Sequence, residues 1–500
     1  MLSTPPGENR VSSFMSSRKT KKPLTHKQLL TKIILRHHLG TKMKNNISSS
    51  LSLLISLLLF AIGCNTTEPP IIPPPPDLRK ITLTFEESSC TEVWLTVKAD
   101  SITLPAQLTL KQYNTAGDSL SQIFVLNTKD SVLYFDSLLP NQNYNYWAVL
   151  IADTTIKSEK VTAQTLEPTS HNFTWQTFEF GQHSSSVLYD VAIIDENNIW
   201  AVGEIFMNDS LGNPDPKRYN AAFWNGIGWT VKRIPYFYQG QQFYNPIYSI
   251  YTFSINDIWF CGNGVIHWNG SQYLPVSIPT SVWGPYNMNK LWGTSSNDMY
   301  VVGNEGNIAH YNNGTWTKIE SGTTLHLTDI YGDNKGNIYT AGIDIPNIKG
   351  VVVKNRTTNQ WNVMIEGEVI DESQLFTKLF GSFGAIWVDE IGTVYTGGDF
   401  LYQFKNKKWD FVRTLPENYL GGDQYYIGYL YSIRGNKSND IILAGDRNTL
   451  RHFNGIEWSE IGIPYLPTQH IFWRSVQMKG KLAIAVGDEG IKAKIIMLNR

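Results

Sequence analysis

The stretch Asn297–Ser321, NDMYVVGNEGNIAHYNNGTWTKIES, decides the fold. It predicts three short strands, Met299–Gly303, Asn307–Asn312 and Trp316–Ile319, parted by tight turns at Glu305-Gly306 and Asn313-Gly314. Asn-Gly and related pairs supply the positive φ angles that two-residue hairpins require. Just upstream, Lys290-Leu291-Trp292-Gly293-Thr294 supplies a fourth strand. A four-stranded antiparallel meander of this size cannot bury both faces alone and needs copies to stack on.

Those copies run to the end of the chain. The second strand recurs as NIWAVG (198–203), DIWFCG (257–262), DMYVVG (298–303), NIYTAG (337–342), TVYTGG (393–398), DIILAG (440–445) and LAIAVG (482–487). The third strand and its turn recur as AFWNG (222–226), IHWNG (266–270), AHYNNG (309–314) and RHFNG (451–455). An aromatic then opens the fourth strand: Trp229, Tyr273, Trp316, Trp361, Trp409 and Trp458. The seventh copy stops in its third strand, and a match to the absent fourth lies at the start of the array, in FTWQTF (173–178). Counting Trp175, the aromatic markers fall about 40–55 residues apart, a propeller-blade period. Residues 171–500 are therefore expected to form a seven-bladed β-propeller closed by an N-terminal outer strand, which leaves no exposed seam. The repeats resemble those of bacterial exported propellers with an IWAVG…IxHWNGxxW pattern, and DNKGNIYTAG (333–342) is similar to propeller repeats of bacterial sensor proteins. Neither resemblance implies one activity, because propellers host enzymes, scaffolds and lectins alike.

Ahead of the array, residues 80–167 show short alternating runs such as EVWLTVKA, AQLTLKQYN and YNYWAVLIA, about seven strands in all, which predicts a β-sandwich. Leu138-Leu139-Pro140-Asn141-Gln142-Asn143-Tyr144 resembles the L-x-P-x-x-x-Y segment of fibronectin type III domains. That resemblance implies a tyrosine corner at Tyr144 and a core aromatic on an early strand, which Trp94 fits.

The only long apolar run is Leu51–Ile62, too short to span a bilayer comfortably and suited to a signal-peptide core. Gly63-Cys64 behind it resembles a bacterial lipobox, with Ala61 where Leu is usual, and implies lipidation of Cys64. Residues 43–63 then form the lipoprotein signal peptide, because Met43-Lys44-Asn45-Asn46 suits the start of an export signal. Residues 1–42 read as a non-native or disordered extension. The Pro-rich stretch to residue 79, with Pro73–Pro76, predicts a semi-rigid polyproline stalk. The expected location is the bacterial envelope, on the outer membrane or cell surface, with a membrane contact through the lipid.

A formal net charge of −1 provides no whole-protein field for nucleic acid. Three cysteines are too few and too scattered for a disulfide framework or zinc site, so Cys90 and Cys261 read as buried free thiols. His267, His310 and His452 share one repeat position on different blades and cannot converge on a metal. Asp195, Asp257, Asp298 and Asp440 read as turn stabilisers. No phosphate-binding glycine loop, H-E-x-x-H or nucleophile elbow occurs, and neither cofactor nor metal is expected.

The long loops offer the remaining signal. Loops between second and third strands and the blade-to-blade connections should open on one face. They carry Tyr236, Tyr238, Tyr244, Trp283, Tyr286, Tyr419, Tyr425, Tyr426 and Trp473. Aromatic loops on a rigid scaffold suit binding, since each ring offers a large apolar area with few torsions to freeze. The expectation is a non-enzymatic binding or adhesion module for a glycan or a protein. The alternatives are a glycan lyase or hydrolase using loop acids such as Glu204, Asp371, Glu372 or Asp423, and a purely structural envelope component.

Overall fold

The computed structural model describes residues 77–500 except 115, 116, 118, 334, 345, 356–359, 368–377, 415–427 and 465–467, together with the side chain of Tyr238. The expected extension, signal peptide, lipidation site Cys64 and nearly all of the stalk lie outside the described residues.

Strict alternation of apolar residues builds the first module. Its strands are β1 (Lys80–Ser88), β2 (Val93–Asp100), β3 (Ala106–Asn114), β4 (Ser119–Leu126), β5 (Asp130–Phe135), β6 (Asn143–Leu150) and β7 (Val161–Gln164). They form a three-stranded sheet, β1-β2-β5, and a four-stranded sheet, β4-β3-β6-β7. Val93, Leu95 and Val97 from one sheet meet Leu108, Leu110, Tyr146 and Ala148 from the other in a single core. The Tyr144 hydroxyl, buried at the start of β6, accepts the Leu139 N–H at 2.8 Å and so pins the β5–β6 corner. Trp94 departs from expectation. The same parity that buries Val93 and Leu95 turns Trp94 outward, where its ring stacks on Tyr134 at 6.3 Å and lies beneath the Lys405 ammonium. The core aromatics are Phe135 and Tyr146, with centroids 5.0 Å apart.

The second module is a β-propeller. After β8 (Thr174–Phe180) come seven four-stranded antiparallel sheets. Their first strands are Val187–Asp195, Ile247–Ser254, Met288–Ser295, His326–Gly332, Phe383–Val388, Leu430–Lys437 and Phe472–Lys479, numbered here as sheets one to seven. Each first strand contacts the next, and the last returns to the first, so the sheets close a ring. Sheet seven takes β8 as its outer strand: Thr174 pairs with Asn499 and Phe180 with Ala493. In sheet three the Asn313-Gly314 hairpin has φ of 46° and 90°, the positive values its residue types predict.

On the face bearing the hairpins between first and second strands, the recurring His and Asp meet in sheets two, three and six. Nε2 of His267, His310 and His452 lies 2.8, 2.6 and 3.0 Å from Oδ1 of Asp257, Asp298 and Asp440. Each imidazole is thus engaged in its own sheet. The sandwich docks on sheets five and six. Glu92 pairs with Lys405, Thr169 Oγ1 donates to the Asn439 carbonyl at 2.7 Å, and the free thiol of Cys90 is buried against the Gly455 turn.

Candidate ligand-binding site at the propeller axis

The second-strand motif carries its glycine in every sheet, and the structure gives that glycine a geometric reason. Opposite it, each first strand carries a one-residue β-bulge. The ladder skips Tyr189 in sheet one, Tyr248 in sheet two, Asn289 in sheet three and Thr328 in sheet four. It skips Gly384, Tyr431 and Arg474 in sheets five, six and seven. The bulge pushes a first-strand or flanking carbonyl onto the glycine. A β-carbon at Gly303 would lie 2.1 Å from the Asn287 oxygen, and one at Gly487 only 1.8 Å from the Phe472 oxygen. Bulges re-aim side chains at sheet rims and binding sites.

Here they aim at one place. All seven bulge residues line a single cavity of about 680 Å³ at the mouth of the axis. Ile343, Ile348, Ser382, Asp399 and Tyr429 complete its wall. The residues flanking each bulge are buried on both sides, as with Leu188 and Val191, or Leu430 and Ile433, so the strand is anchored while the bulged side chain is free to vary.

Behind the bulges lies a polar layer, because the residue after the bulge is polar in every sheet except five, where it is Ala385. Asp190 Oδ1 receives the Lys290 ammonium at 2.7 Å and the Ser475 hydroxyl at 2.8 Å. Its Oδ2 receives the Ser249 hydroxyl at 2.9 Å and the Ile250 N–H at 3.0 Å. One carboxylate therefore links sheets one, two, three and seven. Burial pushes Asp190 up, but Lys290 and these donors outweigh it and hold the carboxyl below its ordinary value. A second bridge crosses sheet five: Arg434 Nη2 reaches Asp329 Oδ1 at 2.8 Å, with both side chains buried and only the methyl of Ala385 at the intervening position.

The walls are polarised. Arg474 Nε donates to Asp488 Oδ1 at 2.8 Å, while the guanidinium packs 4.8 Å from the Tyr431 ring centroid and 5.0 Å from that of Phe472. Burial pushes this guanidinium down, and the Asp488 carboxylate more than restores it. The Tyr189 hydroxyl donates to Glu204 Oε1 at 3.1 Å, and Arg218 holds the other Glu204 oxygen at 2.6 Å. Burial raises the Tyr189 hydroxyl, with the Glu204 charge adding to it. Burial also raises the Asp399 carboxyl despite the N–H of Ser382 donated to it at 2.8 Å.

The aromatic loop residues expected from sequence do not converge here. Tyr236 is 7% exposed, packed in the core between sheets one and two, and its hydroxyl has no hydrogen-bond partner among the described residues. Trp283 is 4% exposed and spends its indole N–H on the Tyr286 carbonyl at 2.8 Å. Trp473 is 1% exposed, in the core between sheets six and seven. These three fill wedges between sheets, because a large ring at a sheet boundary gains more from burial than from solvent. Tyr286 stays 43% exposed, and half-buried Tyr244 lies 5.9 Å from the Arg233 guanidinium, both outside the cavity wall. The Tyr238 side chain, Tyr419, Tyr425, Tyr426, Asp371, Glu372 and Asp423 lie outside the described residues. The tyrosines that do converge are Tyr189, Tyr248, Tyr429 and Tyr431. For Tyr189, Tyr248 and Tyr431 the signal was present in the repeat: a position that changes among Tyr, Asn, Thr, Gly and Arg, preceded by an apolar residue and followed two places on by another.

No family model matches the chain, and no curated protein matches it. Among solved structures, it is similar to YCF48 bound to D1 peptide, at 12% identity and a TM-score of 0.44, covering 65% of this chain and 97% of the other. It is also similar to YCF48 from Cyanidioschyzon merolae, at 12% identity and a TM-score of 0.44, covering 65% and 98%.

Proposed function

We propose that the chain is a bacterial envelope lipoprotein, anchored through Cys64, whose fibronectin type III-like sandwich carries a seven-bladed propeller acting as a non-enzymatic binding module. Its ligand, a glycan or a protein segment, enters the axial cavity. The single observation that carries the binding reading is the convergence of seven bulge residues on one cavity. Seven unpaired strand residues are a costly arrangement for mere packing, and four tyrosines among the lining residues supply flat apolar faces with polar tips. The three-plus-four strand order and the Tyr144 corner support the fibronectin-type reading, and the ring of seven four-stranded sheets supports the blade count.

The test is a screen of the full chain against immobilised glycans and peptides. Replacing Tyr248 or Tyr431 by Ala should weaken the retained ligand by about tenfold, as loss of an aromatic platform does. A ligand whose affinity ignores both substitutions would sink the cavity reading. For the anchor, metabolic labelling with a palmitate analogue should be lost in Cys64→Ser.

A second reading, hydrolysis of a bound glycan, rests on a carboxyl in the cavity wall. Asp399 lines it, and burial raises that carboxyl above its ordinary value, the direction a general acid needs. Incubation of a retained glycan with the wild-type chain should then release shorter products, and Asp399→Asn should abolish release while binding persists.

A further inference from the structure

Taking the axial cavity as the binding site, we infer that its ligand is an acidic saccharide whose carboxylate docks on Arg474. The argument starts from how that side chain is held. Asp488 takes Nε alone, and the rings of Tyr431 and Phe472 flank the guanidinium at 4.8 and 5.0 Å. Among the described residues, the two terminal nitrogens make no hydrogen bond. The result is a cationic fork fixed at its base and flanks, with its free edge at a cavity wall. A carboxylate matches that edge with two parallel N–H···O bonds, which a Lys in the same place would not offer. Arg474 is also the only cationic side chain lining this cavity among the described residues. Lys290 and Arg434 lie outside its lining and are committed to Asp190 and Asp329. Burial raises the carboxyl of the cavity's own lining acid, Asp399, above its ordinary value.

The rest of the lining selects the carrier of the carboxylate. Tyrosine rings are joined by Thr328, Ser382 and Asn289, so the wall alternates ring faces with neutral polar groups. The Asn289 amide donates to Asn304 and Leu327, the Thr328 hydroxyl to Gly384 and the Tyr189 hydroxyl to Glu204, which leaves their oxygens to accept from sugar hydroxyls. Sugar rings present that same alternation, with C–H faces to stack on tyrosine and hydroxyls to exchange hydrogen bonds. A uronic acid adds one carboxylate at the ring edge and meets the single cation. A phosphate would ask for more donors than one guanidinium supplies.

The experiment measures the full chain by titration calorimetry against oligogalacturonate and against the same oligomer reduced to neutral oligogalactose. The uronate should bind, and reduction should weaken it roughly tenfold to a hundredfold, the value of a charge-assisted pair. Arg474→Gln should erase the difference between the two oligomers. Arg474→Lys, which keeps the charge and the packing stem, should lose most of it, and an unchanged thermal midpoint shows that the fold persists. Equal binding of both oligomers, unaffected by either substitution, would overturn the acidic preference while leaving glycan binding intact. Binding of peptides that depends on a free C-terminal carboxylate, with neither oligomer bound, would overturn the saccharide assignment while keeping the cavity as a protein-binding site. If neither oligomers nor peptides bind, both this inference and the binding reading fall.

Discussion

Asp389 follows the first strand of sheet five, where its Oδ1 accepts the Thr393 N–H at 2.7 Å and its buried Oδ2 has no partner among the described residues. Burial pushes this carboxyl up to about 8, with the neighbouring Glu390 charge adding to it. The sign follows from proton linkage. The folded chain holds the Asp389 proton over a range in which the unfolded chain has released it, so stability falls as pH rises from about 4 toward 8. Asp389→Asn keeps the size and removes the titration. Chemical denaturation at several pH values should show a flatter profile in that window for the variant. Its advantage over wild type should grow toward pH 8, on the order of 1–3 kcal/mol. Parallel profiles would show that Asp389 ionises normally. A residue of this kind is invisible in the sequence, where DEIGT reads as an ordinary hairpin turn. Its burial depends on what packs over the turn, and no local pattern records that.

The bulge is the element that separates what the sequence disclosed from what it did not. Strands, turns and the closing strand β8 were legible because each rests on a local pattern: alternation, Asn-Gly pairs, and an aromatic marker recurring once per copy. The recurring glycine of each second strand was equally visible, but its meaning lies across the ladder, in an extra residue on the partner strand. An interior strand glycine marks such a bulge or a close backbone approach, and here it marks both. The loop aromatics misled for a related reason. An aromatic in a loop can turn out to a ligand or in to a sheet boundary, and Tyr236, Trp283 and Trp473 turn in. Gly487→Ala tests the bulge directly, since its β-carbon would stand 1.8 Å from the Phe472 oxygen. The ladder must shift to admit it, which should cost about 1–3 kcal/mol in denaturation midpoints and move Arg474 from its place. Gly228→Ala, where a β-carbon meets nothing within 4 Å, is the control and should be nearly silent. Equal effects at the two glycines would remove the bulge as the explanation for the motif.

Across the whole molecule, ring closure depends on groups that reach over their neighbours. Asp190 gathers donors from sheets two, three and seven, so one side chain ties together more than half of the ring. The Lys290 ammonium is what makes its burial tolerable, because a carboxylate this deep would otherwise be driven to its neutral form. The folded carboxyl lies below its ordinary value. Its contribution is therefore fully present above about pH 4 and lost as acid protonates the folded state. Lys290→Met removes the cation and keeps the stem. At neutral pH the variant must either hold an unpaired buried charge or take up a proton, and it should lose about 3–5 kcal/mol. As pH falls toward 4 the unfolded carboxyl also gains its proton and the deficit should shrink, so wild-type and variant stabilities converge in acid. Asp190→Asn in the Lys290→Met background removes the charge altogether and should recover part of the loss at pH 7. A deficit that stayed constant across pH, with no recovery in the double variant, would place the cost of Lys290→Met in packing, and the axial carboxylate would then not be the group that binds the ring together.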